Sequence, residues 1–436
     1  MTTMINGLRY FEVDFNADGS LNTTTGNGDG GLAAAVSNQV PGAAPAAGPP
    51  IADLFVFAHG WNNGVDSARD LYNDMFKRLS DQLGSRRSSC AAVGILWPSM
   101  LFPDDDPATA PPVPSTGAQI ATALAPAFPD QKPQLTTLGK LLDEKPQDPH
   151  ELAEFHSLAT HLVTTDPLGS EDAGESSMIA ATPIQALGHG ASMASSPGDD
   201  AEGIVNPFSE LWSGAREVLR TMSYYEMKNR AGVVGKNGLG PFLAGLRLPD
   251  QTRPPNIHLI GHSFGARLVS YTLAGLPTEL RRAASPVKSL TLIQGAFSHF
   301  AFAAPLPIDG GRSGGLADFR DRVDGPMLAT FTGADRAVGW WYPAASFLAR
   351  QDSESASDVT YRWGAMGHDG YQQQPAAKRI PLANTGTPYD FERGAFYAID
   401  SNDVIKENQS KFSGAHSDIR HDEVLWAVAC ASRLPQ

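Results

Sequence analysis

Short apolar runs, each stopped by glycine, proline or a turn, alternate along this 436-residue chain with segments of helical spacing. Ile51 to Ala58 runs into His59-Gly60, Ala91 to Trp97 is stopped by Pro98, and Ile257 to Ile260 leads directly into Gly261. Further strand candidates lie at 288–293, at 327–331 and near Ala395 to Ile399. Between them, 66–83 places Ala68, Leu71, Met75, Phe76, Leu79 and Leu83 on one helical face, and 264–275 and 421–431 read as helices. Strands alternating with helices predict βαβ units and a mostly parallel sheet flanked by helices.

One gap breaks the rhythm. The stretch from Met100 to Asn256 is far longer than the roughly 30 residues that a βαβ unit needs. Residues 207–230, with Leu211, Trp212, Ala215, Val218, Leu219, Met222 and Tyr225 along one side, read as the crossover helix. That leaves 101–206 as an insertion following the strands 51–58 and 91–97. It holds three weakly amphipathic segments near 117–128, 134–143 and 151–163, then a Ser/Gly/Ala/Met-rich stretch over 168–203. It reads as a cap over one end of the sheet, on a core formed by 1–100 and 207–436.

At the start, Leu8 to Phe15 alternates as a strand does, and Ala17-Asp18-Gly19-Ser20 reads as a hairpin turn. Asp14, Asn16, Asp18 and Gly19 match the opening of a calcium loop, but its twelfth position is Thr25 where a bidentate Glu is required. Residues 22–50, rich in Gly, Ala, Pro, Thr and Asn, form a loop with little core potential.

The composition is 42% hydrophobic and 18% charged, enough to bury a core, and the net charge is −14. So acidic a surface repels phosphate backbones, which disfavours a nucleic-acid partner. Two cysteines, Cys90 and Cys430, cannot build a disulfide framework or a thiolate zinc site. No apolar run approaches the ~20 residues of a membrane span, and the first residues lack a signal-peptide pattern. The chain therefore reads as cytoplasmic, although a chain whose leader has been removed would read the same way.

Gly261-His262-Ser263-Phe264-Gly265 sits between an apolar strand and the helix beginning Ala266-Arg267-Leu268. A sharp strand-to-helix turn lifts the serine hydroxyl above the sheet edge, and the glycines let neighbouring backbone approach. Gly311-Arg312-Ser313-Gly314-Gly315 matches the same pattern but follows no strand, so it reads as a loop.

With Phe57-Ala58-His59-Gly60-Trp61-Asn62-Asn63 after one strand and Gly261 to Gly265 after another, the chain resembles the α/β-hydrolase superfamily, on its esterase and lipase side. Thr332-Gly333-Ala334-Asp335-Arg336 and Gly414-Ala415-His416-Ser417-Asp418 complete the resemblance, which covers 51–100 and about 207–436. It implies an α/β-hydrolase fold and a triad running Ser, acid, His along the chain. Ser263 is then the nucleophile and Asp335, just past the run 327–331, the acid. Three histidines follow Asp335. His416 lies in a loop before the last helix, where the family keeps its base; His368, in Gly367-His368-Asp369-Gly370, is its rival; His421 opens the helix itself. The implied oxyanion hole uses the N–H of Phe264 and one from the loop after His59-Gly60, from Trp61 or Asn62. His59 reads as a brace for that loop, and with Asn62, His262 and Trp340 it is carried as a substrate-binding candidate. The Trp340-Trp341-Tyr342 cluster fits core packing or an aromatic substrate wall.

Metal chemistry finds no pattern here: His156 and His161 are not at i,i+4, and Gly235-Lys236 lacks the rest of a phosphate loop. The expectation is a carboxylic-ester hydrolase acting on a small-molecule ester through an acyl-enzyme, with no cofactor or metal. The same triad would serve an amidase or peptidase, and a hydrolase-fold binding protein is the non-enzymatic alternative.

Overall fold

The computed structural model describes the chain except for residues 1–2, 25–27, 38–48, 61–63, 101, 104–113, 170–173, 195–206, 248–253, 337–360, 363, 408–413 and 434–436. The chain opens with a hairpin of β1 (Thr3–Ile5) and β2 (Leu8–Asp14), joined by Asn6 and Gly7, both at positive φ. Such a two-residue Asn-Gly turn matches the twist of antiparallel strands. The turn expected at 17–20 also forms: Asp18 accepts from the Ser20 amide, and Phe15 bridges Leu21.

The helix α1 (Leu32–Ser37) precedes the buried strand β3 (Asp53–Ala58), and α2 (Val65–Leu83) returns the chain to β4 (Cys90–Leu96). The insertion then contributes α3 (Gly117–Leu124), α4 (Lys132–Glu144), α5 (Pro149–Thr160), α6 (Gly174–Ile179) and α7 (Pro183–Ala194). A long helix, α8 (Pro207–Val233), passes through a π-helical turn at Val234–Leu239 into α9 (Gly240–Gly245). After β5 (Asn256–His262), α10 (Phe264–Gly275) leads to β6 (Val287–Ile293) and β7 (Met327–Phe331). The short α11 (Met366–Asp369), β8 (Lys378–Pro381), β9 (Phe396–Asp400) and α12 (Asp422–Ala431) follow.

The nine strands form one sheet in the order β1-β2-β4-β3-β5-β6-β7-β9-β8. Every pairing is parallel except that of β1 with β2. The chain is thus an α/β protein with a mostly parallel sheet flanked by helices. Strand periodicity divides the core in two. Leu54, Val56 and Ala58 of β3 face one layer with α8 and α10, whereas Phe55 and Phe57 face the other, with α2 and α12. From β3 the chain leaves toward β4, and from β5 toward β6, on the opposite side. The carboxyl ends of β3 and β5 therefore border a crevice at a topological switch point, where open α/β sheets bind ligands.

The insertion is not a thin cover. Ile120, Leu124, Phe128, Leu135, Leu138, Phe155 and Leu187 are fully buried, in the same apolar cluster as Trp212, Val218 and Met222 of α8. Within the stretch read as Ser/Gly/Ala/Met-rich, α7 lies against α8 so closely that a Cβ on Gly214 would stand 2.0 Å from the Leu187 carbonyl oxygen. Within that stretch Gly190 is one residue this contact requires, since a Cβ there would stand 2.3 Å from the Gly214 carbonyl oxygen. Among the described residues no helix is long and apolar enough to cross a membrane.

Candidate active site

At the carboxyl end of β5, Ser263 turns the chain into α10 with φ 56° and ψ −123°. A side chain at positive φ is strained, by about 1–3 kcal/mol, and persists only where its surroundings enforce it. Here they do: the Ser263 amide donates to the Ile293 carbonyl of β6, and its own carbonyl accepts from Ala266 and Ala296. The flanking glycines are steric necessities. A Cβ on Gly265 would stand 2.0 Å from the Ala58 carbonyl oxygen, and one on Gly261 would stand 2.3 Å from that of Gly265. On the other wall, the loop after β3 passes so near that a Cβ on Gly60 would come within 2.6 Å of the Ser263 Cβ.

Ser263 Oγ lies 2.8 Å from His416 Nε2, and His416 Nδ1 lies 2.8 Å from Asp335 Oδ2. All three residues are buried, Asp335 completely. Asp335 and Gly414 form an isolated antiparallel bridge, and the Ala415 amide donates to the Ala334 carbonyl at 2.9 Å. The loops after β7 and before α12 are thereby joined next to Asp335 and His416. A carboxylate oxygen accepts from Nδ1–H, which leaves Nε2 to accept the serine proton.

His368 lies outside this line. Its Nδ1 contacts Asp369 Oδ1 at 2.7 Å, while the other oxygen of Asp369 lies 3.1 Å from His299 Nδ1. The hydrogen bond to Asp369 raises the His368 pKa against the opposing effect of burial, and the charge of Asp335 adds to the rise. His421 precedes the first turn of α12 without a capping side-chain bond, and its Nε2 lies 2.8 Å from Asp418 Oδ1. Ser313 sits exposed in a loop, as its lack of a preceding strand predicted.

Two histidines carried as substrate-binding candidates, His59 and His262, have structural partners. His59 is buried, with Nδ1 2.9 Å from the Gly60 carbonyl and its ring stacked on Trp97. Its amide donates to the Tyr72 hydroxyl, and its carbonyl accepts from Trp97 Nε1. Burial lowers its pKa to about 4, so it is neutral at pH 7. His262 directs Nε2 at the His416 carbonyl, 3.0 Å away, and its ring lies 5.0 Å from that of His416. Burial, with the His416 charge adding to it, lowers the His262 pKa to about 3. A neutral His262 with its proton on Nε2 donates to the backbone of His416, a contact with no signature in the sequence. Phe264 opens α10 and packs its ring edge-on against Tyr224. Its amide belongs to the first turn, the helix end that presents N–H groups and partial positive charge. Trp61, Asn62 and Trp340 lie outside the described residues.

Among the described residues no group of three or more His, Cys, Asp or Glu side chains is arranged to hold a metal ion. Comparison with protein-family models, curated proteins and solved structures returns no match.

Proposed function

We propose that the chain is a serine hydrolase of the α/β-hydrolase type, cleaving carboxylic esters through an acyl-enzyme. The observation that carries this reading is the unbroken line Ser263–His416–Asp335, with both contacts at 2.8 Å, on a serine held at positive φ at the switch point. Ser263 Oγ attacks the ester carbonyl while His416 Nε2 takes its proton. The imidazolium, stabilised by Asp335, then returns that proton to the leaving alcohol. Water repeats the sequence on the acyl-enzyme and releases the acid. The Phe264 amide supplies one donor to the oxyanion; the second is assigned to the segment that follows Gly60, the glycine whose added Cβ would meet that of Ser263.

The test is chemical. A fluorophosphonate probe is expected to label the wild type and not Ser263→Ala, and a nitrophenyl ester to be hydrolysed only by the wild type. Equal labelling of Ser263→Ala would overturn the assignment. The matching anilide separates ester from amide cleavage, and a wild type inert to probe, ester and anilide would leave a binding role.

A further inference from the structure

The opposite end of the sheet holds a second concavity, independent of Ser263. At the amino ends of β3, β5 and β6 lies a cavity of about 680 Å³, within the size range of small-molecule sites. Four cationic side chains line it, Arg86, Lys288, Arg393 and Arg433, against two carboxylates, Asp53 and Asp324. In a chain of net charge −14, this excess of positive charge runs against the composition.

The carboxylates are already engaged. Asp324 accepts from Lys288 Nζ at 2.9 Å and from Arg393 Nη1 at 3.1 Å. Asp53 accepts from Asn256 at 3.1 Å and lies 3.3 Å from His258 Nε2. Arg86, by contrast, bonds only neutral oxygens, the Ser432 hydroxyl at 3.1 Å and the Ser432 carbonyl at 3.2 Å. Arg433 bonds the Gln82 carbonyl at 3.0 Å and lies over the Trp426 ring. Among the described residues neither guanidinium has a carboxylate within salt-bridge distance.

His258 on the same wall closes off a catalytic reading. It links Asp53 to Ser289, but Ser289 is buried beneath it and does not line the cavity, so its hydroxyl cannot meet a ligand. Beside the paired carboxylates, Arg86 and Arg433 offer this lining donors and positive charge, the chemistry of carboxylate and phosphate recognition.

We infer that this cavity binds a small oxyanion of two or more negative charges, a phosphate or a polycarboxylate, gripped by Arg86 and Arg433. Inorganic phosphate and citrate are the probes, in equilibrium dialysis at constant ionic strength with chloride as the balancing salt. Saturable binding of at least one of them, near one per chain, is expected; which one binds distinguishes the two head groups. Arg433→Gln, at an exposed position, is expected to weaken it several-fold, and Arg86→Gln/Arg433→Gln by ~10-fold or more, a factor worth about 1.4 kcal/mol. Ser263→Ala should bind as the wild type does, so failure of the hydrolase reading leaves this one intact. Absence of saturable binding for both anions, or equal binding by wild type and Arg433→Gln, would overturn the inference.

Discussion

Ser263 holds its hydroxyl in place at a cost borne by its own backbone. Because glycine tolerates positive φ and alanine does not, Ser263→Gly is expected to be more stable than Ser263→Ala by ~1 kcal/mol, though neither can form the acyl-enzyme. Urea midpoints of the two variants check this, and equal midpoints would mean that the turn is unstrained. The base is discriminated kinetically. His416→Ala should lower kcat by roughly 10³–10⁶-fold, whereas His368→Ala, bonded to Asp369 and off the line to Ser263, should change it less than ~10-fold. The reverse ranking would move the triad. His262 acts one step back: replacing it by Phe keeps a ring but removes the donor to the His416 carbonyl. A fall in kcat of about 10-fold with KM unchanged is expected, since a mispositioned base weakens the transition state alone. A change confined to KM would instead place the His262 ring against substrate.

At the level of elements, legibility followed how far a segment's signal is local. β5, the elbow and α10 are readable because an apolar run, two glycines and a helical repeat follow one another without interruption. α2 is readable because Leu71, Met75, Phe76 and Leu79 repeat at helical spacing and all are buried. β8, Lys378-Arg379-Ile380-Pro381, gives no such signal; it is an edge strand, where charge and proline block further pairing and no buried face imposes alternation. β1 is three residues long, and its cue is the Asn6-Gly7 turn, not its own composition. α7 is obscured by its glycines, of which Gly190 is needed where it meets Gly214 of α8, a tertiary preference that sequence periodicity does not carry. Of the site, Ser263, Asp335 and His416 are legible from order and context, but the bridge between Asp335 and Gly414 is made by backbone and leaves no mark in side-chain identity. The burial of the insertion has a direct consequence. Replacing 101–206 by a short Gly/Ser linker would strip Trp212, Val218 and Met222 of their cover, so the product is expected to be aggregation-prone. A soluble, cooperatively unfolding deletion protein would show that the insertion is dispensable to the core.

For the whole molecule, the buried neutral histidines set a limit on acid stability. His59 and His262 titrate at about 4 and about 3 when folded, against about 6.5 in an unfolded chain. The unfolded state therefore binds more protons as the pH falls below about 6.5, and stability is lost down to pH 3–4, at up to about 1.4 kcal/mol per pH unit for each group. Urea midpoints should fall steadily from pH 6.5 to 4.5, and His59→Gln should flatten that slope by about one proton; an unchanged slope would mean that His59 is not the group responsible. The bridge between Asp335 and Gly414 has a mechanical corollary. Asp335 and His416 lie on two loops 81 residues apart in sequence, yet that bridge rivets the loops into one clip. The spacing between the two residues is thereby the braced dimension of the site. Across the gap to Ser263, the described residues add to the Ser263–His416 contact the bond from His262 to the back of His416. A change at His262 thus acts on the seating of His416 against Ser263 while leaving its pairing with Asp335 in place.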